Sequence, residues 1–279
     1  FEIEHDTQDM ILRQADTLAN VSGERIKAEF LSILETSMAV RHVHLLNDLR
    51  LLSLIIPELD EGKGVSQPKE HHWDVFRHNV ETVGAVEGLV NRHWEPSWVL
   101  QAVPWNDSLA TYFQEVTGEG HTRATLLKVA GLIHDIAKPA TRTMDSGGKI
   151  RFLGHHSEGA VVAQAILHRL RFTRSTSHMI ETEIEHHLRP GQMSHGTEMP
   201  TSRAIYRYFR SAGEVAIDTL YLNLADYLAA RGPLLEREEW AAYAAQVKHI
   251  LESGLHQEKA TSTTHYLLNG RDLMASLNL

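Results

Sequence analysis

Histidine is the residue type that stands out. The 279-residue chain has 19 histidines and no cysteine. Several are doubled, as His71-His72, His155-His156 and His186-His187. Imidazole is the commonest protein ligand for metals, and without thiolates it must be the main non-oxygen donor here. Thiolate zinc sites and disulfides are excluded. Three places in the chain give this chemistry a location. In TLLKVAGLIHDIAKP, Leu127, Ala130 and His134 share one helical stripe. In DVFRHNVETVGAVEGL, His78 lies on the stripe of Val75, Thr82, Ala85 and Leu89. In EVAIDTLYLNLADYLAA, Asp226 continues the stripe of Val215, Thr219 and Leu222. Each is a metal-capable side chain where an apolar one is expected.

Asp135 follows His134 directly. Adjacent side chains on a helix diverge by ~100°, so both can reach one ion at the helix edge. Gly131, one turn earlier, is expected to leave space for the carboxylate. A buried ionised carboxylate is costly without a positive partner, and a divalent cation is the strongest one. A single His-Asp pair is more often an inert capped histidine. Three such breaks on three helices converge on one site shared inside a helical bundle. A divalent ion held there can activate water and polarise a phosphoryl oxygen. Asp135 is the expected catalytic carboxylate, bridging if two ions bind. Lys138, one turn later, is expected to act beside it and to meet substrate phosphate together with Arg142 and Arg189, since guanidinium forks fit phosphate oxygens. His72 and Glu158 are expected to orient ligands. The donor set admits manganese, iron, cobalt, nickel, zinc or magnesium, as one ion or two.

The elements that must position these residues read as almost all helix. SGERIKAEFLSILE places Ile26, Phe30, Ile33 and Leu34 on one face, with Ser22 as N-cap. Pro57 ends the following apolar run, and Gly62, Gly64 and Pro68 mark a boundary. Helix resumes at Asp74. Residues 91–122, with Trp94, Trp98, Trp105, Pro96 and Pro104, read as an irregular inserted lid or loop. A strong helix is expected from Ala124 to Lys138, stopped by Pro139. The Ser-Gly-Gly within 141–152 predicts a small hairpin. Helices are expected over about 155–170, 176–188, 201–210, 212–231 and 234–252. The expected fold is an all-α bundle. Its expected divisions are an N-terminal helical unit over 1–66, a metal-binding domain over 67–232 and a C-terminal helical extension over 233–279.

The net charge is −9, which argues against a molecule built as a whole to coat a polyanion. The charge is uneven. Residues 1–66 carry 6 Lys and Arg against 12 Asp and Glu, whereas residues 138–210 carry 11 against 6. An anionic substrate is drawn to the second stretch. There is no apolar run near the ~18–20 residues that span a bilayer, and no signal peptide is visible. A cytoplasmic location without membrane contact is expected. His-Glu-x-x-His, Gly-x-Ser-x-Gly and phosphate-loop motifs are absent.

A His, a His-Asp pair 56 residues later in an Ile-Ala-Lys context, and an Asp on a later helix resemble the HD superfamily of metal-dependent phosphohydrolases. That resemblance implies an all-helical HD domain with a metal held by His78, His134, Asp135 and Asp226. Some members add two histidines and a second metal. The candidates are His155 in FLGHHSEGA and His187 in EHHLRP, with their neighbours His156 and His186 as alternatives. VSGERI, IPELD followed by Gln67, HHWDVFRHN, IRFLGHHSEGA and LLNGRDLM are further similar to the C-terminal half of the tRNA nucleotidyltransferase and poly(A) polymerase family. This covers about Val21 to Met274. In that family an N-terminal head with paired carboxylates adds nucleotides to RNA. No Asp-x-Asp occurs in this sequence, so the head is expected to be missing and the chain to be an internal fragment. The resemblance implies hydrolysis of a phosphomonoester or phosphodiester of a nucleotide or RNA end, 2′,3′-cyclic phosphates included. The alternative is a non-catalytic module that supports tRNA.

Overall fold

The structure is a computed structural model, and it describes residues 3–194 and 198–263. LLNGRDLM, one of the family-like motifs, lies outside the described residues. Helices α1 (His5–Gln14), α2 (Gly23–Glu35), α3 (Ala39–Asp48) and α4 (Leu51–Ile55) come first. They are followed by α5 (Val75–Val90), α6 (Trp98–Ala102), α7 (Asp107–Gln114) and α8 (Arg123–Ile133). Strands β1 (Arg142–Met144) and β2 (Ile150–Phe152) pair antiparallel, with Thr143 opposite Arg151. Then come α9 (His155–Arg169), α10 (Arg174–His186), α11 (Arg189–Gln192), α12 (Ser202–Ala212), α13 (Ala216–Arg231) and α14 (Arg237–Thr263). The all-α expectation holds, with a two-stranded hairpin, the one sheet among the described residues, where Ser-Gly-Gly placed it.

Helix α5 is the axis of the molecule. Its sequence is apolar nearly all round, as a helix enclosed by neighbours must be. It packs against α3, α8 and α13. Asp74 starts it: one carboxylate oxygen accepts from Arg77 N at 2.8 Å and the other from Gly64 N at 2.8 Å. That second bond ties the preceding Gly-rich turn to the helix start. One hydrophobic core runs from Phe30 to Leu251. The start of α2 lies so close to the end of α9 that a Cβ on Gly23 would meet the Arg169 carbonyl oxygen at 2.3 Å.

Two local expectations are corrected. Residues 91–122 are no lid: they hold α6 and α7, whose Val99, Leu109 and Phe113 are buried in the core. Trp240 of α14 reaches across and donates to Val99 O at 2.9 Å, while Trp105 stacks on Phe113. The tryptophans that suggested irregularity are packing anchors. Ser22 stands at the N-cap of α2 as expected, without a side-chain capping bond. Helix α8 ends at Ile133, five residues early, because Ile136 N and Lys138 N turn back only three residues, to Ile133 O and Asp135 O.

Lys128 on α8 shows how tightly this frame is held. It is buried, and its ammonium donates to Leu34 O at 2.7 Å and Thr36 O at 3.0 Å, carbonyls at the end of α2. Glu87 of α5 lies 3.4 Å away and also accepts from Ala39 N at 2.6 Å. Four elements thus share one charge cluster. Lys128→Met would strand these acceptors, at a cost of about 2–3 kcal/mol. Urea denaturation is expected to show a lower midpoint with unchanged slope.

Candidate metal centre

Five helices deliver one side chain or pair each to a common point. His78 comes from the second turn of α5, and His134 and Asp135 from the tight turns that end α8. His155 opens α9, His187 caps the end of α10, and Asp226 sits on α13. His78, His134, Asp135, His155 and His187 are all buried, and the Asp226 side chain is 18% exposed.

Backbone carbonyls aim three of the four imidazoles. His134 Nδ1 lies 2.9 Å from Gly131 O, His155 Nδ1 2.6 Å from Phe152 O, and His187 Nδ1 2.6 Å from Ile184 O. A carbonyl can only accept, so each Nδ1 carries a proton, and in the neutral ring Nε2 is then the lone pair. Those Nε2 atoms converge on the carboxylates. His78 Nε2 is 3.1 Å from Asp135 Oδ2 and 3.1 Å from Asp226 Oδ1. His134 Nε2 is 3.2 Å from Asp135 Oδ2 and from His78 Nε2. On the other side, His155 Nε2 and His187 Nε2 lie 3.2 and 3.7 Å from Asp135 Oδ1. Asp135 therefore stands between two donor groups: His78, His134, Asp226 at Oδ2, and His155, His187 at Oδ1.

Lone pairs facing carboxylates need a cation between them. Neither Asp135 oxygen receives a hydrogen bond of regular geometry, and His155 Nε2 has none. Burial alone would raise the Asp135 pKa, yet His134 and Lys138 hold it well below the usual carboxylate range. Burial works against charge on His134, but Asp135 and Asp226 outweigh it and push its pKa up to about 10. Burial and the neighbouring His134 take His187 down to about 3. The mixed imidazole and carboxylate set suits a divalent ion, and the orphaned oxygens are where one would bind.

The outer groups sort differently from expectation. Lys138 Nζ lies 2.5 Å from Asp135 Oδ2 and donates to Gln67 Oε1 at 2.7 Å. Arg142 is exposed on β1, and Arg189 donates to Ser211 Oγ at 3.0 Å, so neither stands in the cluster. His72 is exposed with its ring against Trp73, and Glu158 is exposed. His156 and His186 are half-buried beside the cluster histidines. Gly131 leaves no space for Asp135: a Cβ there would meet Thr82 Cγ2 of α5 at 3.3 Å. The glycine serves helix approach, and its carbonyl aims His134.

Two groups were missed. His71, not its neighbour, lies against the site: its ring centre is 5.4 Å from that of His78, and its Nε2 is 3.4 Å from Lys138 Nζ. The doubled His71-His72 was the signal at hand. Asn223, one turn before Asp226, donates to the His187 carbonyl at 2.9 Å and accepts from Tyr243 at 2.8 Å. It braces the end of α10.

An all-helical fold that brings a His, a His-Asp pair and a distant Asp to one buried point is that of an HD domain. Residues 108–231 match the HD-domain family model. Residues 1–63 match the model described as "Probable RNA and SrmB- binding site of polymerase A". The CC-adding tRNA nucleotidyltransferase of Thermus thermophilus is 30% identical over 268 residues, which is 95% of this chain and 51% of that protein. The A-adding tRNA nucleotidyltransferase of Deinococcus radiodurans is 30% identical over 268 residues, 95% of this chain and 52% of that protein. The chain resembles the HD-containing part of the tRNA nucleotidyltransferase and poly(A) polymerase family. It spans about half the length of the curated relatives it matches. No helix among the described residues is long and apolar enough to cross a membrane.

The two donor groups can be separated experimentally. Asp135→Ala is expected to abolish manganese binding in isothermal titration calorimetry. His187→Ala is expected to remove the second ion and keep the first. Full binding by the Asp135 variant would contradict the bridging geometry.

Proposed function

We propose that this chain is an HD-type phosphohydrolase acting on a phosphomonoester or phosphodiester of a nucleotide or RNA end. The observation that carries this reading is Asp135, one buried carboxylate turned with opposite oxygens to two imidazole groups. One divalent ion would be held by His78, His134, Asp135 and Asp226, and a second by Asp135, His155 and His187. Bound there, a divalent ion supplies Lewis acidity toward a phosphoryl oxygen and a lowered pKa for water.

The protein's own groups then have defined tasks. Lys138 holds Asp135 in place and offsets its charge. His71 is neutral, because burial and Lys138 lower its pKa to about 3. An ammonium only donates, so His71 Nε2 accepts from Lys138 and the proton stays on Nδ1. That buried Nδ1–H has no hydrogen-bond partner among the described residues, so an ester oxygen brought into the site would be its acceptor. Substrate phosphate would enter beside His71 and Lys138, not beside Arg142 or Arg189.

The second reading is a module that supports tRNA without turnover. Its specific support is that both relatives are named as tRNA nucleotidyltransferases. Hydrolysis of 2′,3′-cyclic nucleotides by the purified chain separates the two. Turnover is expected with manganese, cobalt or nickel, and is expected to vanish with chelator. His71→Ala is expected to lower kcat about 100-fold or more while metal binding is kept. Folded protein with no turnover on any metal would favour the supporting module.

A further inference from the structure

The basic excess of residues 138–210 is partly gathered on one helix face. Helix α12 buries Ile205, Tyr208, Phe209 and Ala212. Residues at i, i+3, i+4 and i+7 share a face of a helix. Its outer face therefore carries Arg203, Tyr206, Arg207 and Arg210, all exposed. There is no acidic residue in α12, and the adjacent Glu198 and Glu214 lie off its ends. None of the three arginines has an ion-pair or hydrogen-bond partner among the described residues. By contrast Arg77, Arg123, Arg151 and Arg169 are all paired with carboxylates.

We propose that this face binds an RNA strand, with phosphates on the three arginines and a base against Tyr206. Like charges at i, i+4 repel by a few tenths of a kcal/mol, so a bare arginine stripe is mildly unfavourable for the helix itself and suits an external polyanion. Guanidinium forks bind phosphate oxygens in pairs. The stripe rises over ~10 Å of helix. The exposed phenol ring, 47% accessible, offers the flat apolar surface on which bases stack. The C-terminal end of the stripe also adjoins the metal-site segment: Ser211 accepts from Arg189, two residues past His187. Residues 1–66, with 6 basic against 12 acidic side chains, have the opposite sign. The choice of RNA over another polyanion rests on the phosphoester reading above.

The test is fluorescence anisotropy of a labelled single-stranded RNA oligonucleotide over a range of salt. The triple variant Arg203→Gln, Arg207→Gln, Arg210→Gln is expected to bind about tenfold or more weakly, with the log–log salt slope reduced by about two. Tyr206→Ala is expected to weaken binding about fivefold or more. A control with equal charge loss outside residues 1–63, Arg171→Gln, Arg174→Gln, Arg237→Gln, is expected to bind as the parent does. Equal losses in both triples, or none in the first, would overturn the proposal. Competition by a polyglutamate peptide as effective as that by RNA would overturn it in favour of an acidic protein partner. Anisotropy reads binding alone, so the role of α12 is tested even if the chain hydrolyses nothing. All substituted residues are exposed, and a thermal melt checks that each variant folds.

Discussion

Asp135 is 1% exposed, and a carboxylate so enclosed must be neutralised from within. Four imidazole nitrogens and one ammonium surround it, but three of the four histidines have committed their ring proton to a carbonyl elsewhere. What the neutral rings among them turn to Asp135 is a lone pair. Positive charge comes from Lys138 and from His134, whose pKa the two carboxylates push up to about 10, and both reach Oδ2. Oδ1 faces His155 and His187 without compensation. The centre is thus electrostatically incomplete as a purely protein structure, and a divalent cation is what the donor set fits.

The rest of the fold follows from the need to hold those lone pairs still. The carbonyls that aim His134 and His187 belong to the last turns of α8 and α10, and that for His155 ends the hairpin. Element ends, not element middles, do the aiming. This gives the hairpin and the shortened end of α8 a purpose. Asn223 and Tyr243 then fix the end of α10 against α13 and α14, and Lys128 fixes α8 against α2 and α5. A shift in any of these helices would move a residue of the cluster.

The centre is legible in the sequence where polarity breaks an apolar stripe. His78, His134 and Asp226 were visible for that reason, and Asp135 by adjacency. His155 and His187 were not visible that way, because each sits at a helix end beside a second histidine, where periodicity has no force; the family resemblance supplied them. Side-chain direction was illegible beyond one turn. Arg189 follows His187 closely, yet turns to Ser211, and His71 rather than His72 faces the site. Proline and tryptophan over 91–122 suggested irregularity, because burial by the distant Trp240 cannot be read locally. The helix order and the hairpin were legible, being set by caps, stops and glycines near in sequence.

The two donor groups around Asp135 are, on this reading, cation sites. Anomalous diffraction at the manganese edge, from crystals grown at saturating manganese, tests that claim most directly. One peak is expected among His78, His134, Asp135 and Asp226, and a second among Asp135, His155 and His187. Well-ordered crystals with no peak at Asp135, and manganese only on exposed carboxylates, would contradict it.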